Sequence, residues 1–297
     1  MSVSPSTRRI EHLVLPARDL EAQAAFYERL GFKVGARNIH PWGTENRIVQ
    51  FDGAFLELIT LGKTAVPPAH APRHFSFGTH VAERLAREGD GMSMLVLDST
   101  DANADAAWFR QAGIGDYAPF HFGRKAKRPD GSETDVAFTL AFATPSALPE
   151  LSFFSCQQHY PESFWNPANQ VHENTVTGVS RVVLVHDRPE ASLGFVKAFA
   201  GGTPYAEKNL GVSLKTRHGI LSIWKPEGAR AVLGDDPVLF NGKHGHFAAV
   251  LLTVKSLGTA ELCLRKNNVP HRREKGRILV PSGAAFGVLL VFEEGNA

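Results

Sequence analysis

Two positions in this chain hold a chemically active side chain where an apolar one would be expected. Along Ile10-Glu11-His12-Leu13-Val14-Leu15 the period-2 alternation of a strand puts Ile10, His12 and Val14 on one face and Leu13 and Leu15 on the other. His12 therefore points where a core side chain could sit. In Phe55-Leu56-Glu57-Leu58-Ile59, Glu57 interrupts an apolar strand in the same way. Imidazole nitrogens and carboxylate oxygens both bind divalent cations and both exchange protons, so the pair is a candidate metal site or acid/base couple. The competing reading is a core histidine hydrogen-bonded to a buried carboxylate.

These strands belong to a repeating unit. Asp19 can cap a helix, Ala22, Phe26 and Leu30 fall at i, i+4 and i+8, and Gly31 can end it in the left-handed region. Strands through Phe32-Lys33-Val34, Asn46 to Phe51 and Phe55 to Ile59 follow, giving β-α-β-β-β. The pattern returns at a shift of 82, with Met94 where His12 stood, Asp101 as cap, Trp108 as helix anchor and Gly113 as stop. It returns again from Val179, with Phe195 and Phe199 on the helix, and from Phe247, with Ser256 as cap and Asn267-Asn268 as stop. The expected fold class is α+β, tandem βαβββ units paired into two curved mixed sheets. The expected domains are residues 8–160 and 178–295, joined by a linker loop over 161–177.

The stretch Arg9 to Leu30, with its His-Leu-Val-Leu strand, Asp19-Leu20 helix start and the ending Phe26-Tyr27-Glu28-Arg29-Leu30 that runs on into Gly31-Phe32, resembles the vicinal oxygen chelate superfamily. His40-Pro41-Trp42-Gly43-Thr44-Glu45-Asn46-Arg47 resembles its glyoxalase-like branch. The likeness is architectural over about residues 8–295 and close over about residues 8–175. It implies glyoxalase-like domains with a cavity in the first, and a divalent cation held by first- and fourth-strand residues of paired units. Carried over residue by residue, it makes His12 and Glu57 ligands. Met94 departs from the superfamily pattern, and the late strand of the second unit lacks an acidic residue. The third ligand is therefore expected from His159, Gln157 or His172, with His159 assigned. Arg181, Ala249 and Val288 at the corresponding positions of the second pair make no metal site there. The implied activity is metal-assisted lyase or isomerase chemistry on a small oxygen-rich carbonyl compound, with the cation as Lewis acid and Glu57 as proton shuttle. His121 is the other catalytic candidate, and Trp42, Asn46, Arg47, Arg124 and Trp165 are the expected substrate-binding residues. A metal-free binding or sequestration protein with the same cavity is the alternative.

Composition excludes other classes. In 297 residues the hydrophobic fraction is 43%, the charged fraction 21% and the net charge +2, as in an ordinary globular protein rather than a nucleic-acid-coating one. No apolar run approaches the ~20 residues of a membrane span, and Met1-Ser2-Val3-Ser4-Pro5 lacks a signal-peptide core, so a cytoplasmic location is expected. Cys156 and Cys263 are far apart and outside any metal spacing, and are expected to be reduced. Of 13 histidines, eight lie at or before residue 172, which concentrates the chemistry in the first half. His70 and His74 are spaced for a helical zinc pair, but Pro67, Pro68 and Pro72 exclude the helix. Arg124-Lys125-Ala126-Lys127-Arg128 before Pro129-Asp130-Gly131 reads as a basic hairpin tip able to attract an anion. The expected partner is a small-molecule substrate, with no nucleic acid and no membrane, and a homodimer is compatible with the chain.

Overall fold

The computed structural model describes residues 7–127, 133–240 and 245–295, and the four units follow in chain order. The first comprises β1 (Ile10–Pro16), α1 (Leu20–Arg29), β2 (Asn38–Ile39), β3 (Thr44–Phe51) and β4 (Ala54–Leu61). Helix α2 (Phe77–Arg87) leads to the second: β5 (Met94–Asp98), α3 (Ala102–Gln111), β6 (Phe120–Lys127), β7 (Glu133–Ala143) and β8 (Ser152–Gln158). A short α4 (Pro161–Phe164) precedes the third: β9 (Val176–Val185), α5 (Leu193–Ala200), β10 (Tyr205–Glu207), β11 (Gly211–Lys215) and β12 (Ile220–Trp224). Helix α6 (Pro226–Leu233) precedes the fourth: β13 (His246–Val254), α7 (Leu257–Lys266), β14 (Arg272–Glu274), β15 (Arg277–Val280) and β16 (Leu289–Glu294). The part of the basic tip from Arg128 to Gly131 lies outside the described residues.

Local chemistry sets the helix ends. Asp19 accepts from Ala22 N, Asp101 from Asn103 N and Ala104 N, and Ser256 from Thr259 N, each satisfying donors that a first turn leaves unpaired. Gly31 takes φ +90°, as its place after α1 requires. Two expectations shift. Phe32-Lys33-Val34 is not a strand, and the second strand is only Asn38–Ile39. The buried face of α1 carries Leu20, Gln23, Ala24, Phe26 and Tyr27, so Ala22 faces solvent.

Units one and two share an eight-stranded sheet, ordered β2-β3-β4-β1-β5-β8-β7-β6, and units three and four another, ordered β10-β11-β12-β9-β13-β16-β15-β14. First and last strands of each unit run parallel, and paired units meet through antiparallel first strands. One face of each sheet, with α1, α3, α5 and α7, joins in a single apolar core. Phe153 of β8 meets Phe195 and Phe199 of α5 at ring distances of 4.8 and 5.4 Å and Phe247 of β13 at 5.5 Å. The opposite faces differ. That of the second sheet is filled by Val183, Leu251 and Val291 against Ala229 and Leu233 of α6. That of the first carries Val14, Met94, Phe142 and Phe154 against Phe77 and Val81 of α2, and leaves a cavity beside them.

Candidate functional site

The site begins at an irregularity in β1. Ile10 pairs with Leu97 and His12 with Val96, so two steps along β1 answer one along β5 and Glu11 is the extra residue of a β-bulge. Bulges re-aim side chains. Here the bulge sends Ile10 to the common core with Leu13 and Leu15, against the plain alternation, while Val14 stays on the cavity side. Glu11, only 1% exposed, meets Nδ1 of His12 with Oε2 at 2.6 Å and accepts from the Gln158 amide with Oε1. An ionised carboxylate only accepts, so Nδ1 carries the hydrogen and Nε2 is left to face the cavity.

Glu57 lies on β4 opposite Val14 of β1. Its Oε2 stands 4.0 Å from His12 Nε2 and its Oε1 4.0 Å from His40 Nε2. Asn46 of β3 donates to Oε1 at 2.5 Å, while its own Oδ1 is buried without a partner among the described residues. His40 is fixed by Thr44 Oγ1 at 2.8 Å from Nδ1 and by stacking on Trp42 at 4.5 Å. Burial lowers the His40 pKa, Glu57 works against that and Arg124 adds to it, so this imidazole is neutral near pH 7.

Around these groups lies a cavity whose atom-free space, counted out to the open solvent at its mouth, is about 580 Å³. Its walls are largely aromatic, with Phe55, Phe77, Phe122, Phe138 and Phe154 from the sheet and α2, and Phe164 from α4. The His12 ring stacks on Phe55 at 4.2 Å and meets the edge of Phe154 at 5.4 Å. The Cys156 thiol is in the wall, and burial, then the Glu11 carboxylate, push its pKa well up, so it stays protonated. Arg124 of β6 reaches in from the rim and donates to Asn38 Oδ1 at 2.9 Å.

The structure gathers His12, Glu57, Trp42, Asn46 and Arg124 around this cavity and corrects four other expectations. His121 alternates with Phe122 and Arg124, so it points to the far face of β6, where Nδ1 meets Thr139 Oγ1 at 3.0 Å. His159, assigned as the third ligand, is exposed past the end of β8 with Nε2 on the same hydroxyl at 2.7 Å. Arg47 alternates with Asn46 and Ile48 and pairs with Glu21 beside α1 at 2.9 Å. Trp165 does not line the cavity but packs behind its wall, 5.0 Å from Phe164 and 5.9 Å from Phe55. The other two ligand candidates are engaged elsewhere. Gln157 accepts from Ala102 N at 3.1 Å, and both nitrogens of His172 are taken, by Lys33 N at 3.0 Å and Gln50 O at 2.8 Å. By strand register, the second unit's counterpart of Glu57 is Phe154. Glu11 and His40 are the members that the sequence pattern did not single out.

A catalytic cation site ordinarily has three protein ligands around one point. Here His12 and His40 approach different oxygens of Glu57, and the Asn46 amide nitrogen, 3.5 Å from His40 Nε2, bridges His40 and Oε1. That NH₂ group presents hydrogens rather than a lone pair. Among the described residues no three His, Cys, Asp or Glu side chains form a group able to hold a metal, so this donor set does not fit the divalent ion implied by the resemblance. In the second sheet, register places Arg181 where His12 stands and Ser222 where Glu57 stands. Arg181 donates to Ser222 at 2.6 Å and Glu207 at 3.0 Å, and lies 5.1 Å from the Trp224 ring.

No helix of the described residues is long and apolar enough to cross a membrane. No curated protein matches the chain by sequence. Among solved structures, a hypothetical protein from Staphylococcus aureus is similar with a TM-score of 0.67 and 10% identity, over 97% of this chain and 100% of that one. A mutant of 4-hydroxymandelate synthase from Streptomyces coelicolor has a TM-score of 0.59 and 11% identity, over 99% of this chain and 95% of that one. A xylose isomerase-like TIM barrel/4-hydroxyphenylpyruvate dioxygenase fusion protein has a TM-score of 0.54 and 14% identity, over 100% of this chain and 50% of that one. At such identities the likeness is one of fold. The sequence family described as a glyoxalase-like domain matches residues 10–198, which span the whole first sheet and the cavity. With four βαβββ units in two sheets behind that match, the chain belongs to the glyoxalase-like domain family.

Proposed function

We propose that the cavity is the active site of a lyase- or isomerase-type enzyme that moves a proton at the carbon beside a carbonyl in a small oxygen-rich substrate. One observation carries this reading: Glu57, 6% exposed, is held by Asn46 and faced by two imidazole nitrogens at 4.0 Å. A carboxylate in an apolar pocket is a competent base for carbon acids when neighbours fix its position. Glu57 takes the proton, the electron pair of the C–H bond moves to the carbonyl as an enolate, and reprotonation at carbon or expulsion of a neighbouring group completes the reaction. His12, its tautomer set by Glu11, is placed to accept the proton from Glu57 in turn, and neutral His40 with Asn46 orients the oxygen atoms. Residues 8–160 carry this chemistry, and residues 178–295 serve as scaffold.

The test is deuterium exchange followed by NMR, with a panel of α-hydroxycarbonyl compounds in heavy water. Wild-type protein should exchange the proton beside the carbonyl of at least one member, and Glu57→Gln should slow this by about a hundredfold or more. Exchange at the wild-type rate in that variant refutes the role of Glu57. Metal content of protein purified without an affinity tag should be below one equivalent, and chelation should leave exchange unchanged. The aromatic lining supports a second reading, a binding or sequestration protein. Saturable binding without exchange of any panel member would select it.

A further inference from the structure

The cavity holds a positive charge that the proton-transfer reading does not use. Arg124 lines it between Phe122 and the apolar wall, and its only hydrogen bond among the described residues is to the neutral amide of Asn38. Four other guanidinium groups near this sheet are matched by carboxylates: Arg47 by Glu21, Arg8 by Asp105, Arg37 by Glu45 and Arg110 by Asp116. A partly desolvated guanidinium that pairs with no carboxylate of its own among the described residues can take one from a ligand, because its planar fork fits a carboxylate in two parallel hydrogen bonds. Around it stand Phe122, Phe138 and Phe164, whose faces suit a flat apolar body. Deeper in the cavity, Asn46 is 3% exposed and its Oδ1 is an acceptor with no donor among the described residues. A buried unpaired acceptor costs free energy unless a ligand supplies a hydrogen to it.

We infer that the ligand of this cavity is a small carboxylate with an aromatic or similarly flat apolar body, and that Arg124 is the residue that selects its charge. The substrate class so defined rests on the proposed active site, but the selection of charge can be measured without turnover. Arg124 binds the carboxylate at the rim, the phenylalanines cover the body, and the opposite end of the molecule reaches Asn46 and Glu57 with a hydroxyl or other hydrogen-bond donor. A neutral ligand of the same shape leaves the guanidinium unpaired.

The experiment is calorimetric titration of the full chain with benzoate, phenylacetate and cinnamate, each against its primary amide. At least one acid should bind about tenfold or more tightly than its amide, the size expected for a charge-assisted pair. Arg124→Gln should remove that preference, and Arg124→Lys should restore part of it. Unchanged melting of both variants checks the fold, which a partly exposed residue on β6 should not disturb. Equal binding of acid and amide by wild type, an unchanged preference in Arg124→Gln, or no saturable binding of any acid overturns the inference. Glu57→Gln should keep the preference for acids, so loss of the proton-transfer reading and loss of this one are separate results.

Discussion

Glu11 and His12 are sequence neighbours in one strand, yet Glu11 Oε2 and His12 Nδ1 meet at 2.6 Å on the same side of the sheet. Only the bulge permits this, since adjacent residues of a regular strand point to opposite faces. Glu11→Gln keeps the volume but offers an amide that can donate as well as accept. The His12 ring should then populate both tautomers, visible in nitrogen-proton correlation spectra, and exchange activity should fall by about tenfold or more. A single unchanged tautomer with full activity would detach Glu11 from the site.

His121 and Arg47 give the opposite expectation. Both alternate away from the cavity, His121 toward Thr139 and Arg47 toward Glu21. His121→Ala and Arg47→Ala should leave exchange rates within about twofold, and Arg47→Ala should cost at most about 1 kcal/mol of stability, as an exposed ion pair does. A loss of activity in His121→Ala comparable to that of Glu57→Gln would show that the far face of β6 takes part.

Arg181 is expected to matter for folding and not for chemistry. It ties Glu207, Ser222 and Trp224 together in the second sheet. Burial raises the Glu207 pKa, but hydrogen bonds from Ser213, Trp224 and Arg181 outweigh it and hold the group below its ordinary value. Its contribution to stability is therefore present above pH 4.5 and is lost as pH falls through the lower folded value. Arg181→Ala should lower stability by roughly 2 kcal/mol in urea melts, somewhat less than the loss of one partner of a fully buried pair. Exchange activity per folded molecule should stay at the wild-type level.

His80 should give the protein a measurable acid slope. Burial, then the charge of His70, lower its pKa from 6.5 to about 4. Between these values the unfolded chain takes up a proton that the folded chain refuses, so stability declines as pH falls from 6.5 to about 4 and this contribution is flat outside that window. A shift of this size is worth at most about 3 kcal/mol, and solvent at the ring trims it to roughly 2 kcal/mol. His40, His172 and His246 titrate in the same sense, so the readout is the difference between wild type and His80→Gln. Parallel stability curves for the two proteins across that window would refute the assignment.

The fold was legible because its signals are local: caps at Asp19, Asp101 and Ser256, a glycine after the first helix, and runs of apolar residues at strand spacing. The inward placement of His12 and Glu57 was legible for the same reason. Glu11 was not, because a bulge is set by pairing between β1 and β5, and a period-2 reading of one strand cannot contain it. His40 sits just after a two-residue strand and reaches Glu57 only because β2 folds back on β3. The expected third ligands are engaged elsewhere for reasons set by tertiary packing: His159 lies past a strand end on Thr139, Gln157 accepts from Ala102 N, and His172 serves the backbone of Lys33 and Gln50. Arg47 and His121 were each misplaced by a single step along a strand.

The apolar core common to both sheets bears on what the half without a site is for. Phe32, Phe109 and Phe153 of the first half are covered by Phe292, Phe199 and Phe247 of the second. Uncovering three such rings costs on the order of 5–9 kcal/mol, comparable to the whole stability of an ordinary domain. Residues 8–160 released from their partner would accordingly be expected to aggregate rather than work. In a calorimeter the intact chain should show a single cooperative endotherm, with the two lobes surviving or melting together.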